Sequence, residues 1–251
     1  RLKPFKENFC KSKNLRQAVE DEQAGFLLID KEAGWTSHNA VSKLRALIKI
    51  KQIGHAGTLD PFATGLLVCA VSKATKMVGL FDLLPKTYQA KIKLGIVSDT
   101  YDRTGEMKNK NSQPAKEILI SKLESALKSF VGKQQQLPPM YSAKKVGGKK
   151  LYELARIGIE IERQPSEIEI YNLKLLNFKN NFLDIEVKCS SGTYIRTLAH
   201  DLGQKLGTGA VLWELDRTAI GDFSAEQATK LENINQHNLG KSFLSTIFHL
   251  R

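Results

Sequence analysis

The regular part of the chain begins with a short apolar segment, which a stretch of helical periodicity follows. Residues 25–30, GFLLID, are nearly all apolar and few in number, which predicts a buried strand. Either Thr36 or Ser37 then caps a helix, because both side chains can accept a backbone hydrogen bond at a helix start. The apolar positions of this helix are Ala40, Val41, Leu44, Leu47 and Ile48. The basic residues of the same segment lie mostly on other sides of the helix. The sequence therefore predicts an amphipathic helix with a basic side.

Residues 54–65, GHAGTLDPFATG, interrupt the apolar pattern. Their three glycines and one proline predict a structured loop rather than a helix or a strand. A strand over 66–71 and a helix over 73–84 are predicted to follow. The apolar side of that helix consists of Met77, Leu80, Phe81 and Leu84. Loops braced by packed elements are where catalytic groups concentrate, so His55 and Asp60 are candidates. The loop alone leaves open that Asp60 is a turn residue and His55 a structural one.

The second half of the chain predicts a sheet with helices against it. Residues 88–94 alternate strictly between apolar and polar positions, which predicts a half-buried strand with Tyr88 on its buried face. The elements predicted after it are a loop over 98–116, a helix through Leu123, Leu127 and Phe130, a hairpin of strands 167–178 and 182–189, and a helix over 192–206. Together these elements predict one domain over 25–224 of the α+β class, with a mixed, largely antiparallel central sheet flanked by helices.

Composition limits the class of protein. With 251 residues, of which 41% are hydrophobic and 25% charged, the chain has the composition of an ordinary globular protein. Its longest apolar-leaning stretch is interrupted by Lys73, Lys76 and Asp82, so no segment supplies the ~20 apolar residues of a membrane-spanning helix. The basic start of the chain lacks the apolar run of a secretory signal. We therefore expect a cytoplasmic protein with no membrane association.

The cysteines and the net charge add two further limits. Cys10, Cys69 and Cys189 are odd in number and lack CxxC spacing, which predicts neither a disulfide framework nor a zinc site. The net charge of +12 favours polyanionic partners, because lysine and arginine neutralise phosphates and release counterions. Charge alone leaves open a role without nucleic acid.

Arg196 is unusual for its position. It lies in the first turn of a predicted helix, where the positive end of the helix dipole disfavours a cation, and its neighbours point into the core. A partly buried arginine there needs a carboxylate partner, although it could instead extend to water or bind phosphate. Asp99, Asp102 and Glu106 have the wrong spacing for a calcium loop, and the chain carries no phosphate-binding glycine motif.

Six segments of the chain form an ordered set of motifs. They are GFLLIDKEAGWTSHNAV (25–41), GHAGTLDPFATGLL (54–67), ATKM (74–77), KTYQAKIKLG (86–95) with SDTYDRTGE after it, PPMYSAKKVGGKKLYELARIGIEIER (138–163) and CSSGTYIRTLAHDLG (189–203). In this order they resemble the TruB family of pseudouridine synthases over roughly residues 24–224. The resemblance implies the pseudouridine synthase catalytic fold and the isomerisation of one uridine in the T loop of tRNA, without a cofactor or a metal.

The resemblance also implies roles for single residues. Asp60 matches the catalytic aspartate, whose ionised carboxylate attacks the flipped nucleotide at the ribose C1′ or the base C6. Tyr88 matches a tyrosine that stacks on the base and acts as general base, and Arg196 matches the arginine that pairs with that aspartate. The positions that match substrate-binding residues are His55, Tyr194, Leu215, Lys31 and Lys76. For the two lysines, a solvated surface position is the alternative.

The basic segment 142–163 resembles an inserted loop and helix that hold the tRNA T arm, and the pattern predicts a flexible loop that leads into a short helix. Its basic residues are Lys144, Lys145, Lys149, Lys150 and Arg156. The chain departs from the family at Glu32-Ala33, where a proline is usual. We also expect residues 1–24 to form an arm and 225–251 a short tail rather than a full RNA-binding PUA domain.

Two other functions stay open beside the main hypothesis. One is the catalytic subunit of a pseudouridine synthase that a guide RNA directs, and the other is an RNA chaperone that folds tRNA without catalysis. An intact set of Asp60, Tyr88 and Arg196 favours an enzyme. We expect tRNA as its partner, no obligate protein partner and a monomeric state.

Overall fold

A computed structural model of the chain describes residues 25–110, 119–142, 145–146, 148–156, 158–159, 161–235 and 243–245. The chain divides into two compact units, one made of residues 1–86 and 216–251 and the other of residues 87–215. The predicted arm over 1–24 and Lys144 lie outside the described residues.

Strands and helices alternate irregularly along the chain. The strands are β1 (Gly25–Lys31), β2 (Ile53–Ala56), β3 (Thr64–Val71), β4 (Lys86–Leu94), β5 (Ile96–Ser98), β6 (Met107–Asn109), β7 (Gly132–Gln136), β8 (Lys145–Val146), β9 (Lys149–Lys150), β10 (Ser166–Lys179), β11 (Phe182–Cys189), β12 (Ala210–Ile220), β13 (Phe223–Ser224), β14 (Thr229–Lys230) and β15 (Phe243–Ser245). The helices are α1 (Ser37–Ile48), α2 (Ile120–Lys128), α3 (Leu151–Arg156) and α4 (Ile195–Leu206), with 3-10 helices η1 (Ser72–Leu83) and η2 (Ala225–Gln227).

The first unit is built around β1 and β3, which pair antiparallel and are buried on both faces. One face packs against α1, and the other packs against η1. Burial on both faces explains why both strands are continuous apolar runs rather than alternating ones. β1 also pairs parallel with β14 and antiparallel with β15, and the last part of β12 pairs parallel with β3. Leu231, after β14, is fully buried in the α1 side of this core.

The second unit holds β4, β11, β10 and β7 in that order, with the first part of β12 beside β4. β10 and β11 form the predicted hairpin, which turns at Asn180 and Asn181, both with positive φ. The helix α4 buries an apolar face with Leu198, Leu202 and Leu206. Strands of both directions occur beside the four α-helices of the described residues, so the α+β fold class is confirmed.

Several local predictions are confirmed. Thr36 caps α1, because its side chain accepts a hydrogen bond from the Asn39 N–H at 3.0 Å. β1, β3 and β4 lie where the apolar patterns predicted them, within two residues at each end. In β4 the exposed fraction alternates from Gln89 to Leu94, as predicted.

Other predictions are wrong. The segment 54–65 is not all loop, because β2 takes up its first residues and pairs His55 with Cys69 of β3. The helix over 73–84 is a run of 3-10 turns, and Leu80 is 55% exposed rather than packed. The loop over 98–116 contains β6, which pairs with β5. The predicted flexible loop in 142–163 contains the short hairpin β8–β9 before α3.

Candidate active site

Asp60 lies in a loop, residues 57–63, whose backbone is held from several sides. The Leu59 N–H donates to Ser37 Oγ at 2.9 Å, and the Pro61 carbonyl accepts from the Gly34 N–H at 2.8 Å. The loop closes on itself where the Ala63 N–H donates to the Asp60 carbonyl at 3.1 Å. Because the neighbours on both sides of Asp60 are fixed, its carboxyl group extends from a rigid turn and is half-buried.

Lys31 supports the end of this loop from inside the core. Its side chain is fully buried, so the alternative of a solvated surface lysine is wrong. The ammonium donates to three carbonyl oxygens, those of Glu32, Trp35 and Ala63, which match its three N–H groups. Burial lowers the pKa of Lys31 to about 8, and the negative charge of Asp60 partly opposes that shift. The buried Lys31 ammonium is therefore close enough to Asp60, the candidate nucleophile, for the two charges to interact.

We expect Lys31 to make the free energy of unfolding depend on pH between about 8 and 10.5. In this window the folded chain has released the Lys31 proton, while the unfolded chain, with the ordinary pKa of 10.5, still holds it. The unfolded state binds more protons, so stability rises with pH by up to about 3 kcal/mol.

Urea unfolding of the wild type and of Lys31→Met at a series of pH values measures this contribution as the difference between the two curves. Lys76→Met is the matched control, because Lys76 is exposed on η1. Its curve of stability against pH should run parallel to that of the wild type. Parallel curves for Lys31→Met as well would show that Lys31 titrates as an ordinary lysine.

Arg217 holds the start of the loop, and no sequence pattern indicated this role. Its guanidinium is 1% exposed; Nε donates to the Leu66 carbonyl at 2.8 Å, and Nη2 donates to the Gly57 carbonyl at 3.0 Å. Gly57 has a φ of +74°, and a Cβ there would lie 3.2 Å from Arg217 Nη1. The backbone conformation therefore favours glycine at this position, and a Cβ would crowd the guanidinium as well.

His55 lies on β2, just before this loop, and is half-buried. Burial lowers the pKa of its imidazole, and the charges of Arg217 and His38 lower it further, so His55 is neutral at pH 7. Among the described residues, its Nδ1 is a buried nitrogen without a hydrogen-bond partner. A neutral imidazole with an unused nitrogen can hydrogen-bond a substrate group.

Arg196 is held in the second unit by an ion pair with Asp102, a partner that the sequence did not identify. The side chain is 5% exposed, and its Nη1 lies 3.4 Å from Oδ2 of Asp102, itself 3% exposed. Nη1 also donates to the Thr100 carbonyl at 3.3 Å, and Nη2 donates to the Tyr141 carbonyl at 2.8 Å. The expected carboxylate partner therefore includes Asp102, and extension of Arg196 to water is wrong. The pairing of Arg196 with Asp60 stays a prediction.

Asp102 is oriented for this ion pair by its other oxygen. Oδ1 accepts from Thr100 Oγ1 at 2.8 Å, from the Thr104 N–H at 2.8 Å and from Thr104 Oγ1 at 2.6 Å. With Oδ1 occupied, Oδ2 is left to face Arg196. Tyr101, which lies between Thr100 and Asp102, has a φ of +64°. Its ring stacks on the ring of His200 at a centroid distance of 4.0 Å. The carboxylate and guanidinium thus form a rigid, buried charge pair.

The remaining predicted substrate positions of the second unit lie on regular elements. Tyr194 is the N-terminal cap of α4, and the Gln136 side chain holds its backbone by accepting from the N–H at 2.8 Å and donating to the carbonyl at 3.0 Å. Tyr88 is half-buried on β4, and Leu215 is buried on β12, the neighbouring strand. Gln136 is a second positioning residue that the sequence did not indicate.

The basic residues of segment 142–163 are placed only in part. Lys145 lies on β8, and Lys149 and Lys150 lie on the paired strand β9, so three of the lysines share one short hairpin. Arg156 is the last residue of α3. Their roles in RNA binding stay predictions.

Among the described residues, no group of three or more His, Cys, Asp and Glu side chains could hold a metal ion. No helix in the described part of the chain is long and apolar enough to span a membrane. The buried Lys31 ammonium interacts electrostatically with Asp60. A positive charge of this kind favours the ionised form of a carboxylate.

Two family models match the chain. Residues 45–195 match the model described as TruB family pseudouridylate synthase (N terminal domain). Residues 196–246 match the model described as tRNA pseudouridylate synthase B C-terminal domain. Together they cover residues 45–246.

Curated relatives and solved structures are similar over most of the chain. The tRNA pseudouridine synthase B of Clostridium tetani is 44% identical over 86% of this chain and 74% of its own length. That of Clostridium acetobutylicum is 43% identical over 88% of this chain and 75% of its own length. A chain in the crystal structure of a Cbf5-Nop10-Gar1 complex has a TM-score of 0.67 at 26% identity, over 88% of this chain and 60% of that chain. Our chain thus spans less than two thirds of that solved chain.

Proposed function

Because the chain belongs to the TruB family of pseudouridylate synthases, we propose that it converts one uridine in the T loop of tRNA to pseudouridine, with Asp60 as the nucleophile. The observation that carries the proposal is the braced loop, which presents the Asp60 carboxylate on a fixed turn beside the Lys31 ammonium. A nucleophile gains most from a scaffold that needs no rearrangement during the reaction.

The reaction proceeds in balanced steps. The target nucleotide leaves the stack of the loop, and the Asp60 carboxylate bonds to the ribose C1′ or to the base C6. The glycosidic bond between N1 and C1′ breaks, the uracil rotates, and a new bond joins C5 to C1′. A base then removes the proton on C5, N1 gains a proton in exchange, and Asp60 is released. No oxidant, reductant or metal enters the balance.

Each remaining residue has a role in these steps. We assign Tyr88 to stacking on the flipped base and to accepting the C5 proton, and Arg196 to keeping Asp60 ionised. Tyr194, Leu215 and His55 bind the nucleotide. Contacts with Asp102 and with the Thr100 and Tyr141 carbonyls leave the Arg196 guanidinium little freedom to turn.

We further propose that the hairpin β8–β9 and α3 bind the T arm through phosphate contacts of Lys145, Lys149, Lys150 and Arg156, together with Lys144. Lys31 acts from within the core rather than as a contact to RNA, because its three N–H groups are used by carbonyls. We infer a monomeric, cytoplasmic enzyme that needs no protein partner.

The choice of uridine has its own test. With unmodified tRNA transcripts that carry uridine tritiated at C5, we expect tritium release with the wild-type T loop and none when only the T-loop uridine is replaced by cytidine. Release from a transcript that lacks the T-loop uridine would place the modified site elsewhere. Release that requires an added guide RNA would favour the guide-directed subunit, and tight tRNA binding without release would favour the chaperone.

A further inference from the structure

The loop that carries Asp102 contains an unusual backbone conformation at Tyr101. The φ of +64° lies in the left-handed region, which residues other than glycine seldom adopt. A conformation of this kind persists where the surrounding structure fixes it. The residues on either side both contact Nη1 of Arg196, the Thr100 carbonyl at 3.3 Å and Asp102 Oδ2 at 3.4 Å. The conformation of Tyr101 therefore decides where two of the groups that contact Arg196 lie.

Backbone hydrogen bonds hold this loop against β12. The Tyr101 N–H donates to the Ser98 carbonyl at 3.3 Å, and the Tyr101 carbonyl accepts from the Leu212 N–H at 2.9 Å. The Arg103 N–H then donates to the Leu212 carbonyl at 3.0 Å. These bonds join the loop to β12 rather than to α4, the helix that carries Arg196. The position of the loop relative to α4 therefore depends on side-chain contacts.

The stack of Tyr101 on His200 is one such contact between the loop and α4. The ring centroids are 4.0 Å apart, and the ring planes differ by 21°. His200 lies on α4 four residues after Arg196, so the two side chains share one face of the helix. This face of α4 therefore contacts the loop at two points, through the charged side chain of Arg196 and through the ring of His200.

We propose that His200 is a positioning residue for the reaction, which acts through its stack on Tyr101. The stack holds the Thr100 carbonyl and the Asp102 carboxylate in place, and these two groups orient the Arg196 guanidinium. Accurate placement matters, because a displacement of about 1 Å in a reacting site can cost on the order of a hundred-fold in rate. This inference rests on the proposed function, from which it takes the role of Arg196 in the reaction.

Two substitutions of His200 separate stacking from the filling of space. Burial lowers the pKa of His200, and the charge of Lys110 lowers it further, so the ring is neutral at pH 7. Phenylalanine keeps a flat, uncharged ring, whereas leucine fills much of the space without one. In His200→Leu, single-turnover tritium release at saturating tRNA should slow by about two- to tenfold, the factor by which a stacked aromatic pair shifts an equilibrium. His200→Phe should keep the wild-type rate, and both variants the wild-type Kd for tRNA.

Amide hydrogen exchange gives a second measurement, which does not depend on activity. The Arg103 N–H is bonded to β12, and the Thr104 N–H donates to Asp102 Oδ1 at 2.8 Å. In His200→Leu both amides should exchange faster than in the wild type, and in His200→Phe at the wild-type rate. Gln204→Leu is the matched control, because Gln204 is exposed on α4 one turn after His200. It should match the wild type in exchange and in tritium release.

A double variant tests the route through Tyr101. Asparagine tolerates a positive φ and lacks a ring, so Tyr101→Asn removes the stack while the backbone conformation is kept. Both substitutions break the same contact. His200→Leu combined with Tyr101→Asn should therefore release tritium no more slowly than the slower of the two single variants.

Several results would overturn the proposal. Slow release by His200→Phe as well as by His200→Leu would show that stacking is not what the reaction needs. Unchanged exchange in His200→Leu would show that the stack does not hold the loop. Weaker tRNA binding with an unchanged rate would make His200 a contact to RNA. Failure of the proposed reaction is distinguishable, because it removes tritium release from the wild type, while amide exchange still decides whether the stack holds the loop.

Discussion

Asp60→Asn is expected to abolish tritium release from C5-labelled uridine while tRNA binding is retained. Asparagine has nearly the same size but lacks the negative charge, so it cannot form the covalent bond to the nucleotide. Loss of a nucleophile costs about ten-thousand-fold or more in rate, so release should fall below detection in single-turnover experiments. The fold should persist, because backbone groups of Leu59, Pro61 and Ala63 hold the loop.

The matched control is Asp82→Asn, which removes one negative charge from an exposed position on η1. It should release tritium at the rate of the wild type and bind tRNA slightly more tightly. Thermal unfolding of both variants excludes loss of structure as a cause. Release by Asp60→Asn at a rate near that of the wild type would remove Asp60 from the role of nucleophile.

Much of the fold could be predicted because its signals are local. The cap at Thr36, the apolar run of β1, the alternation of β4 and the hairpin of β10 and β11 each depend on residues close in sequence. The wrong predictions depend on distant partners. β2 contains a glycine and a histidine and has weak strand propensity, and it is a strand because β3 supplies its hydrogen bonds.

The candidate site was predictable only in part, for the same reason. The braced loop that carries Asp60 followed from glycine and proline spacing, whereas its buried cations did not. Lys31 and Arg217 are charged residues that composition places on the surface, and they are buried because distant carbonyl groups satisfy their N–H donors.

Asp102 illustrates a different limit. No local pattern indicated that its carboxylate would pair with a helix residue 94 positions later. The positive φ of Tyr101, which turns the chain there, could not be read from a tyrosine, because non-glycine residues seldom adopt that conformation.

Arg196→Met should lower both stability and activity, and a second substitution separates the two effects. Removal of one member of a buried ion pair leaves the other charge uncompensated, which costs about 3–5 kcal/mol of stability. Asp102, 3% exposed, is the charge left behind. The rate of tritium release should also fall on the order of a hundred-fold or more, because the cation assigned to Asp60 is lost.

In the double variant Arg196→Met with Asp102→Asn, stability should largely return while the activity stays low. Asparagine keeps the Oδ1 acceptor that Thr100 and Thr104 use, and it removes the uncompensated charge. Urea unfolding and single-turnover tritium release on the wild type, both single variants and the double variant complete the cycle. If the double variant regained activity together with stability, Arg196 would be needed only for the fold, and its assignment to Asp60 would be wrong. If the double variant is stable but still inactive, the reaction itself requires the Arg196 guanidinium.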